Sequence, residues 1–408
     1  MIEFELPESI RNIQNAVHQL AQNVFRPAAR QGDREHGFSR EFIKKLMKMG
    51  VSGGLATRMD TTGGPDDAAE VKDKTAPKKS QRNRIGVVLA EEMAWGDTGL
   101  ILSLPGPGLG GPPVQLTGTK EQKERFLGML QGEEPKYGAY ALTEPGAGSD
   151  VARISTTARK DGDCYVINGT KCFITNGAKA AWNVVFATID KTQGRAGHRA
   201  FVVTNDTPGF SVGKIEEKMG LRASETAELV YEDCRVPKDC LLGGEEHYER
   251  IGKGGFKTAM ATFDATRPLV AAMGLGIARA AFEFSRDWAR QNYDFSRPIS
   301  RIRQKLELLA SMERRLEAAR MLCWRAAWMA DEGIPNTKEA SMAKAYSGTI
   351  ATQVCYDAIQ VMGPEGLSED HLVEKWFRDI KVFDIFEGTG QVQRVVISKR
   401  LIPGIEQF

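Results

Sequence analysis

Two glycine-bearing segments of this 408-residue sequence hold side chains that could do chemistry. The first is YALTEPGAGSD at 140–150. Pro145, Gly146 and Gly148 suppress regular structure and leave backbone N–H groups open, while Thr143 and Ser149 add hydroxyls. Such a loop can wrap a polar, planar or anionic ligand, and it can equally be a plain connection. It is not a nucleotide P-loop, because no Gly-Lys-Ser/Thr follows. The second segment is DIFEGTGQ at 384–391. Gly388 and Gly390 let the backbone after Glu387 approach a ligand closely, and Phe383, Ile385 and Phe386 supply apolar walls. A carboxylate in that setting should be less acidic than usual, which suits a general base near neutral pH. The same residues also read as an ordinary helix start with Thr389 as N-cap.

The elements that must position these segments fall into three blocks, giving an α+β fold class. Residues 1–135 form an N-terminal helical domain: Ile10, Ile13, Val17, Leu20 and Val24 recur at helical spacing, and 42–49, 85–95 and 120–130 repeat the pattern. The polar stretch 61–81 between them has almost nothing to bury and reads as a surface loop. Residues 136–245 form a middle β domain, a barrel or sandwich. Its strand-like runs include 164–168 and 171–175, separated by Gly169-Thr170, with a turn at Asn176-Gly177. Residues 246–408 form a C-terminal four-helix bundle, with long apolar-faced helices over 259–288, 304–330 and 338–362 and a last helix over about 390–401.

Composition narrows the function classes. Lys+Arg number 55 and Asp+Glu 53, so no basic surplus exists for nucleic acid or for an anionic membrane surface. Hydrophobic residues make up 41%, enough for a large core. No run approaches 18 consecutive apolar residues, so no membrane span is expected. The N-terminus has acidic residues where a secretory signal would be basic, and the chain reads as cytoplasmic. The six cysteines and five histidines show neither a CxxC nor an HExxH spacing, which argues against a metal site.

Taken together, the two segments make the chain resemble the acyl-CoA dehydrogenases. YALTEPGAGSD opens the β domain, FEGTGQVQR lies near the end, and KCFITNG (171–177), MGLRASET (219–226), FDATRP (263–268) and GLSEDHLVEKWFRD (366–379) fall between them in the family's order. The resemblance implies an FAD enzyme that oxidises an acyl-CoA thioester to its trans-2-enoyl form. Glu387 would remove the α-proton and the flavin would accept hydride from the β-carbon, with the Glu387 backbone N–H and a flavin hydroxyl on the thioester oxygen. Thr143 and Thr175 would bond the flavin edge, Phe173 would pack on the ring, and Tyr140 and Leu142 would contact the cofactor. Ser149 would bond the pyrophosphate or the CoA portion of the substrate. Thr389 and Gln391 would reach the adenosine and pyrophosphate half of FAD. Gln304, Gln360 and Gly363 would meet cofactor, Gln304 that of a neighbouring subunit. Gly388, Asp264 and Arg267 would contact substrate, the last two at the CoA end.

Three departures stand against that pattern. The stretch 292–296 reads NYDFS where relatives carry Arg-x-x-Phe-Gly, so Asn292 replaces a pyrophosphate-binding arginine. Pro364 and Glu365 enter a loop that relatives fill with glycine. The 61–81 insert is longer than usual. Weaker FAD binding is expected. The resemblance implies a homotetramer passing electrons to an electron-transfer flavoprotein. The alternatives are a heterotetramer with a related subunit, an acyl-CoA oxidase or enoyl-CoA reductase on the same fold, and a non-catalytic scaffold subunit. The stretch 102–112, where relatives line the acyl pocket, is rich in Gly and Pro and carries no charge.

Overall fold

The computed structural model describes residues 5–52, 81–251, 257–294 and 302–402, with backbone alone for 251 and 257–265. Of the 61–81 insert only Gln81 falls among these residues. The Asp264 side chain also lies outside them.

The N-terminal helices follow the apolar spacing. α1 (Glu8–Leu20) continues through one π-helical turn into α2 (Arg26–Glu35), which ends at His36 in a left-handed conformation. α3 (Arg40–Lys48) starts at Ser39, whose side chain accepts from the Phe42 N–H. α4 (Arg82–Leu102) is buried along most of its length and bends at Asp97. There the Asp97 carboxylate accepts the Leu100 N–H at 2.8 Å, re-capping the helix after the kink. α5 (Gly111–Thr117) and α6 (Lys120–Gly128) follow, the latter opened by a Thr119/Gln122 capping box.

The middle block is one curled seven-stranded sheet. Its strands are β1 (Tyr137–Ala141), β2 (Thr157–Asp161), β3 (Cys164–Thr175), β4 (Ala180–Thr188), β5 (His198–Thr204), β6 (Phe210–Ile215) and β7 (Thr226–Pro237). They run in the order β1-β4-β2-β3-β7-β6, with β5 paired to the other side of β4's path. β3 corrects the sequence reading of two runs split by Gly169-Thr170: it is a single strand, and between Ile167 and Gly169 its register shifts because β7 carries an extra residue between Tyr231 and Cys234. A Cβ on Gly169 would lie 2.4 Å from Thr156 Oγ1, so glycine here allows β3 to pass close to the residue before β2.

The C-terminal block contains α7 (Gly244–Ile251), α8 (Lys257–Asn292), α9 (Arg303–Asp331), α10 (Thr337–Met362), α11 (Val373–Ile380) and α12 (Gly390–Leu401). α10 packs against α8, α9, α11 and α12. The stretch Thr266–Asn292 of α8 is long and apolar enough to cross a membrane by those measures alone, but its most apolar window is 83% buried inside the bundle, as a core helix should be.

A buried triad ties the three blocks together. Lys375 Nζ donates to Asp97 Oδ1 and Asp379 Oδ2, each at 2.6 Å, and Asp379 Oδ1 accepts the Leu221 N–H from the β domain. A buried cation held by two carboxylates, each of which also accepts a backbone N–H, fixes relative orientation, because losing any member strands a charge.

Candidate active site

Glu387 sits on the short turn between the 3-10 segment Lys381–Asp384 and α12. Thr389 is the N-cap of α12, its hydroxyl accepting from Val392 N at 3.2 Å. Glu387 and Gly388 both take left-handed backbone conformations, with φ of 51° and 91°. For a glutamate this is unfavourable and persists only where neighbours enforce it. Two side chains do so from the carbonyl side. Lys344 Nζ on α10 donates to the Gly388 carbonyl at 2.7 Å, and Gln393 Nε2 donates to the same oxygen at 3.2 Å. The glycines here serve the protein's own packing: a Cβ on Gly388 would meet Gln393 Nε2 at 2.5 Å, and one on Gly390 would meet Asp384 Oδ1 at 2.4 Å.

The Glu387 carboxylate faces α8. Thr266 donates its hydroxyl to Oε2 at 2.7 Å. Burial raises the glutamate above the ordinary carboxylate range, although the Thr266 hydrogen bond and the positive charges of Lys344 and Arg267 pull the other way. The residue keeps some exposed surface, but loss of water around the carboxylate is the larger effect. Tyr140 on β1 feels the same group: burial raises its phenol, and the Glu387 charge raises it further. The structure thus brings Glu387, Gly388, Arg267 and Tyr140 to one place. Arg267 is buried, its Nη1 3.4 Å from Ser341 Oγ, and its charge acts on the base. Its charge therefore reaches the carboxylate of Glu387.

The β domain presents a second face, anchored from beneath. Glu144 in the first segment is buried and accepts from Lys171 Nζ at 2.8 Å and from the Thr156 N–H at 2.9 Å. Lys171 also donates to the Leu142 carbonyl, and Cys172 N–H to the Thr143 carbonyl. Burial opposes ionisation of Glu144, but Lys171 and the Thr156 and Ser155 hydrogen bonds outweigh it and hold the group at about 2. Burial lowers Lys171 to about 8 despite Glu144, so both partners stay charged at neutral pH. This pair fixes the loop that carries Leu142 and Thr143. Between Lys171 and Ile174 β3 itself bulges, opposite Leu229 and Ala227. Phe173 takes a left-handed φ of 56° there and is 62% exposed. Thr175, also exposed, follows two residues on. An aromatic ring turned outward next to hydroxyls is a platform for a flat, partly polar ring system.

The chain matches the family models for the acyl-CoA dehydrogenase middle domain over residues 139–234 and C-terminal domain over 253–402. It is 36% identical to the mitochondrial short-chain specific acyl-CoA dehydrogenase of Rattus norvegicus over 400 residues, covering 98% of this chain and 91% of that one. The chain belongs to the acyl-CoA dehydrogenase family. Butyryl-CoA dehydrogenase from Megasphaera elsdenii shares this acyl-CoA dehydrogenase fold with a TM-score of 0.82 and 34% identity, covering 98% of this chain and all of that one. A chain from a structure described as the electron transferring flavoprotein of Acidaminococcus fermentans does so with a TM-score of 0.82 and 35% identity, again over 98% and 100% of the two chains.

Acyl-CoA dehydrogenases are flavoproteins, and the residues present suit that cofactor. The outward Phe173 ring, in the strand that carries Thr175 and next to Cys172, whose N–H donates to the Thr143 carbonyl, suits an isoalloxazine. Other residues of this acyl-CoA dehydrogenase expected at the site are spread more widely. Ser149 lies exposed on the open side of the first segment, where Gly146 and Gly148 have free space around them. Gln391 is exposed on the first turn of α12. Gln360 and Gly363 lie at the end of α10, where Lys305 Nζ, from the residue after Gln304 in α9, donates to the Val361 carbonyl at 2.7 Å and to that of Gln360 at 3.3 Å. Asn292 donates its side-chain N–H to the Trp288 carbonyl, and Glu365 faces His371 at 3.5 Å. Sequence reading missed Thr266, Lys344, Lys305 and the Glu144–Lys171 pair. Of these, Thr266 stood one residue before the recognised Arg267, and Glu144 and Lys171 lay inside recognised motifs.

Proposed function

We infer that this acyl-CoA dehydrogenase oxidises a short acyl-CoA thioester to the trans-2-enoyl-CoA, with Glu387 as the base. One observation carries the reading. A carboxylate of raised basicity sits on an enforced left-handed turn, oriented by the Thr266 hydroxyl at 2.7 Å. FAD, when bound, supplies the acceptor for the hydride that leaves the β-carbon. Glu387 takes the α-proton and ends as the neutral acid, a state that its buried setting tolerates better than water would. Among the described residues the Glu387 backbone N–H donates to no protein group, which leaves it available to the thioester carbonyl oxygen as negative charge develops there. Phe173, Thr143 and Thr175 hold and orient the flavin ring in this reading, and Leu142 is fixed beside them through Lys171.

The short acyl chain rests on the relatives named above, as does electron delivery to an electron-transfer flavoprotein. Assembly into a tetramer belongs to the same reading, and Tyr356, Val395 and Leu401, exposed on α10 and α12, are apolar surface that it would cover. The test is anaerobic addition of butyryl-CoA to the purified yellow protein. Bleaching of the flavin band, with return of colour on adding an electron-transfer flavoprotein or a dye and not on admitting air, is the expected result. Rapid recolouring by oxygen would point to an acyl-CoA oxidase instead.

A further inference from the structure

Among the described residues three lysines are buried almost completely, Lys171, Lys344 and Lys375. Two of them have carboxylate partners: Lys171 lies 2.8 Å from Glu144, and Lys375 lies 2.6 Å from both Asp97 and Asp379. Lys344 differs. Among the described residues no carboxylate stands within ion-pair distance of it, and its hydrogen-bond acceptor is the backbone carbonyl of Gly388, at 2.7 Å. A buried ammonium without a contacting carboxylate is costly, and its retention calls for a use. Its surroundings supply one. The carbonyl it holds belongs to the residue after Glu387, on the turn where φ is 51° and then 91°. The nearby charges that act on it are Glu387 and Asp384, which favour the ammonium, and Arg267, which opposes it.

We propose that Lys344 is a positioning residue for the base: its ammonium pins the Gly388 carbonyl, locking the left-handed turn that aims Glu387, and sets a positive charge behind the carboxylate. This rests on Glu387 being the base of the reaction inferred above. Each element packed around Glu387 contributes a group. α8 brings Thr266 and Arg267, β1 brings Tyr140, α10 brings Lys344, and the preceding 3-10 segment brings Asp384. Thr266 orients one carboxylate oxygen, and Lys344 fixes the backbone of the next residue. Burial lowers Lys344 to about 8, so it is still charged at neutral pH and loses that charge in mildly alkaline solution.

The test compares the flavin-loaded full chain with Lys344→Gln, Lys344→Arg and Glu387→Gln. Infrared titration follows the Glu387 carboxyl, identified as the band missing in Glu387→Gln. In Lys344→Gln the titration should move upward by about 1 to 3 pH units, as for loss of an opposite charge a few ångströms away. The acid limb of kcat/KM should move with it, kcat should fall more than KM changes, and Lys344→Arg should return the titration toward the original. A folded Lys344→Gln whose Glu387 titrates unchanged overturns the proposal. If Lys344→Gln does not fold, the reciprocal measurement decides. The 15N-lysine resonance of Lys344 should titrate at lower pH in Glu387→Gln than in the unaltered chain, and equal values overturn the coupling. Neither titration requires turnover, so a failure of the acyl-CoA reading appears separately, as an unaltered chain that acyl-CoA does not bleach.

Discussion

Thr266 and Glu387, 121 residues apart in sequence, meet at 2.7 Å between hydroxyl and carboxylate. The bond joins the N-terminal half of α8 to the turn before α12. It stabilises the ionised form of a group that burial otherwise drives toward the neutral acid. Thr266→Val keeps the shape and removes the donor. A hydrogen bond to a charged group contributes about 1.5–3 kcal/mol, so Glu387 should become less acidic by about one pH unit or more. The base must be ionised to act, so activity falls as pH drops through its titration. The acid limb of kcat/KM for Thr266→Val should therefore lie at higher pH, and a limb left in place would show that the bond does not set the base.

Phe173 tests the cofactor platform. The ring is 62% exposed and contributes little to the core. Phe173→Ala should leave the apo-protein's unfolding midpoint nearly unchanged, as surface substitutions do, within about 0.5 kcal/mol. It should weaken FAD binding by about tenfold, from lost stacking of about 0.5–1.5 kcal/mol and lost apolar contact. Fluorescence titration of the apo-protein with FAD measures it. A parallel loss of apo stability would mean that the ring is structural.

Glu144→Gln tests the anchor beneath the first segment. Leaving Lys171 buried without its anion should cost about 3–5 kcal/mol. Glu144 is held at about 2, below its ordinary value. Its contribution to stability is therefore complete above the unfolded range, near pH 4.5, and is lost as pH falls toward about 2. Urea unfolding from pH 3 to 7 should show that the deficit of Glu144→Gln shrinks on the acid side. A deficit that is constant over this range contradicts the ionised pair.

Gly390→Ala asks whether the second segment's glycines serve the protein or a ligand. The new Cβ would fall 2.4 Å from Asp384 Oδ1 and 3.0 Å from Arg394 Nη1. Both atoms end side chains that can turn aside, so the cost should lie at or below the low end of the overpacking range, about 1 kcal/mol. The midpoint of thermal unfolding should drop in the apo-protein as well as the holo-protein. A drop confined to the holo-protein would return the glycine to a ligand contact.

Much of this architecture was legible in the residues. The bundle helices announced themselves by long apolar periodicity, and the start of α12 at Gly390 by Thr389 as a cap. Glu387 could be singled out because apolar residues and glycines surround it within a few positions. Thr266 and Lys344 could not, because each is an unremarkable helical residue whose meaning comes from packing against a distant turn. The reading of β3 failed for a local reason: Gly169 signals a break, but here it lets an unbroken strand pass close to Thr156, and only the packing shows that. The outward Phe173 depends on an extra residue in the strand, which shifts the face of everything near it.

The central claim is that Glu387 removes the proton. Stopped-flow mixing of Glu387→Gln with butyryl-CoA, without oxygen, measures this most directly. The amide keeps the fold and the flavin, so the variant should stay yellow and bind the thioester. Its rate of flavin bleaching should fall by at least about 10²–10⁴ relative to the unaltered chain. A yellow, ligand-binding Glu387→Gln that bleaches at the original rate would contradict the account.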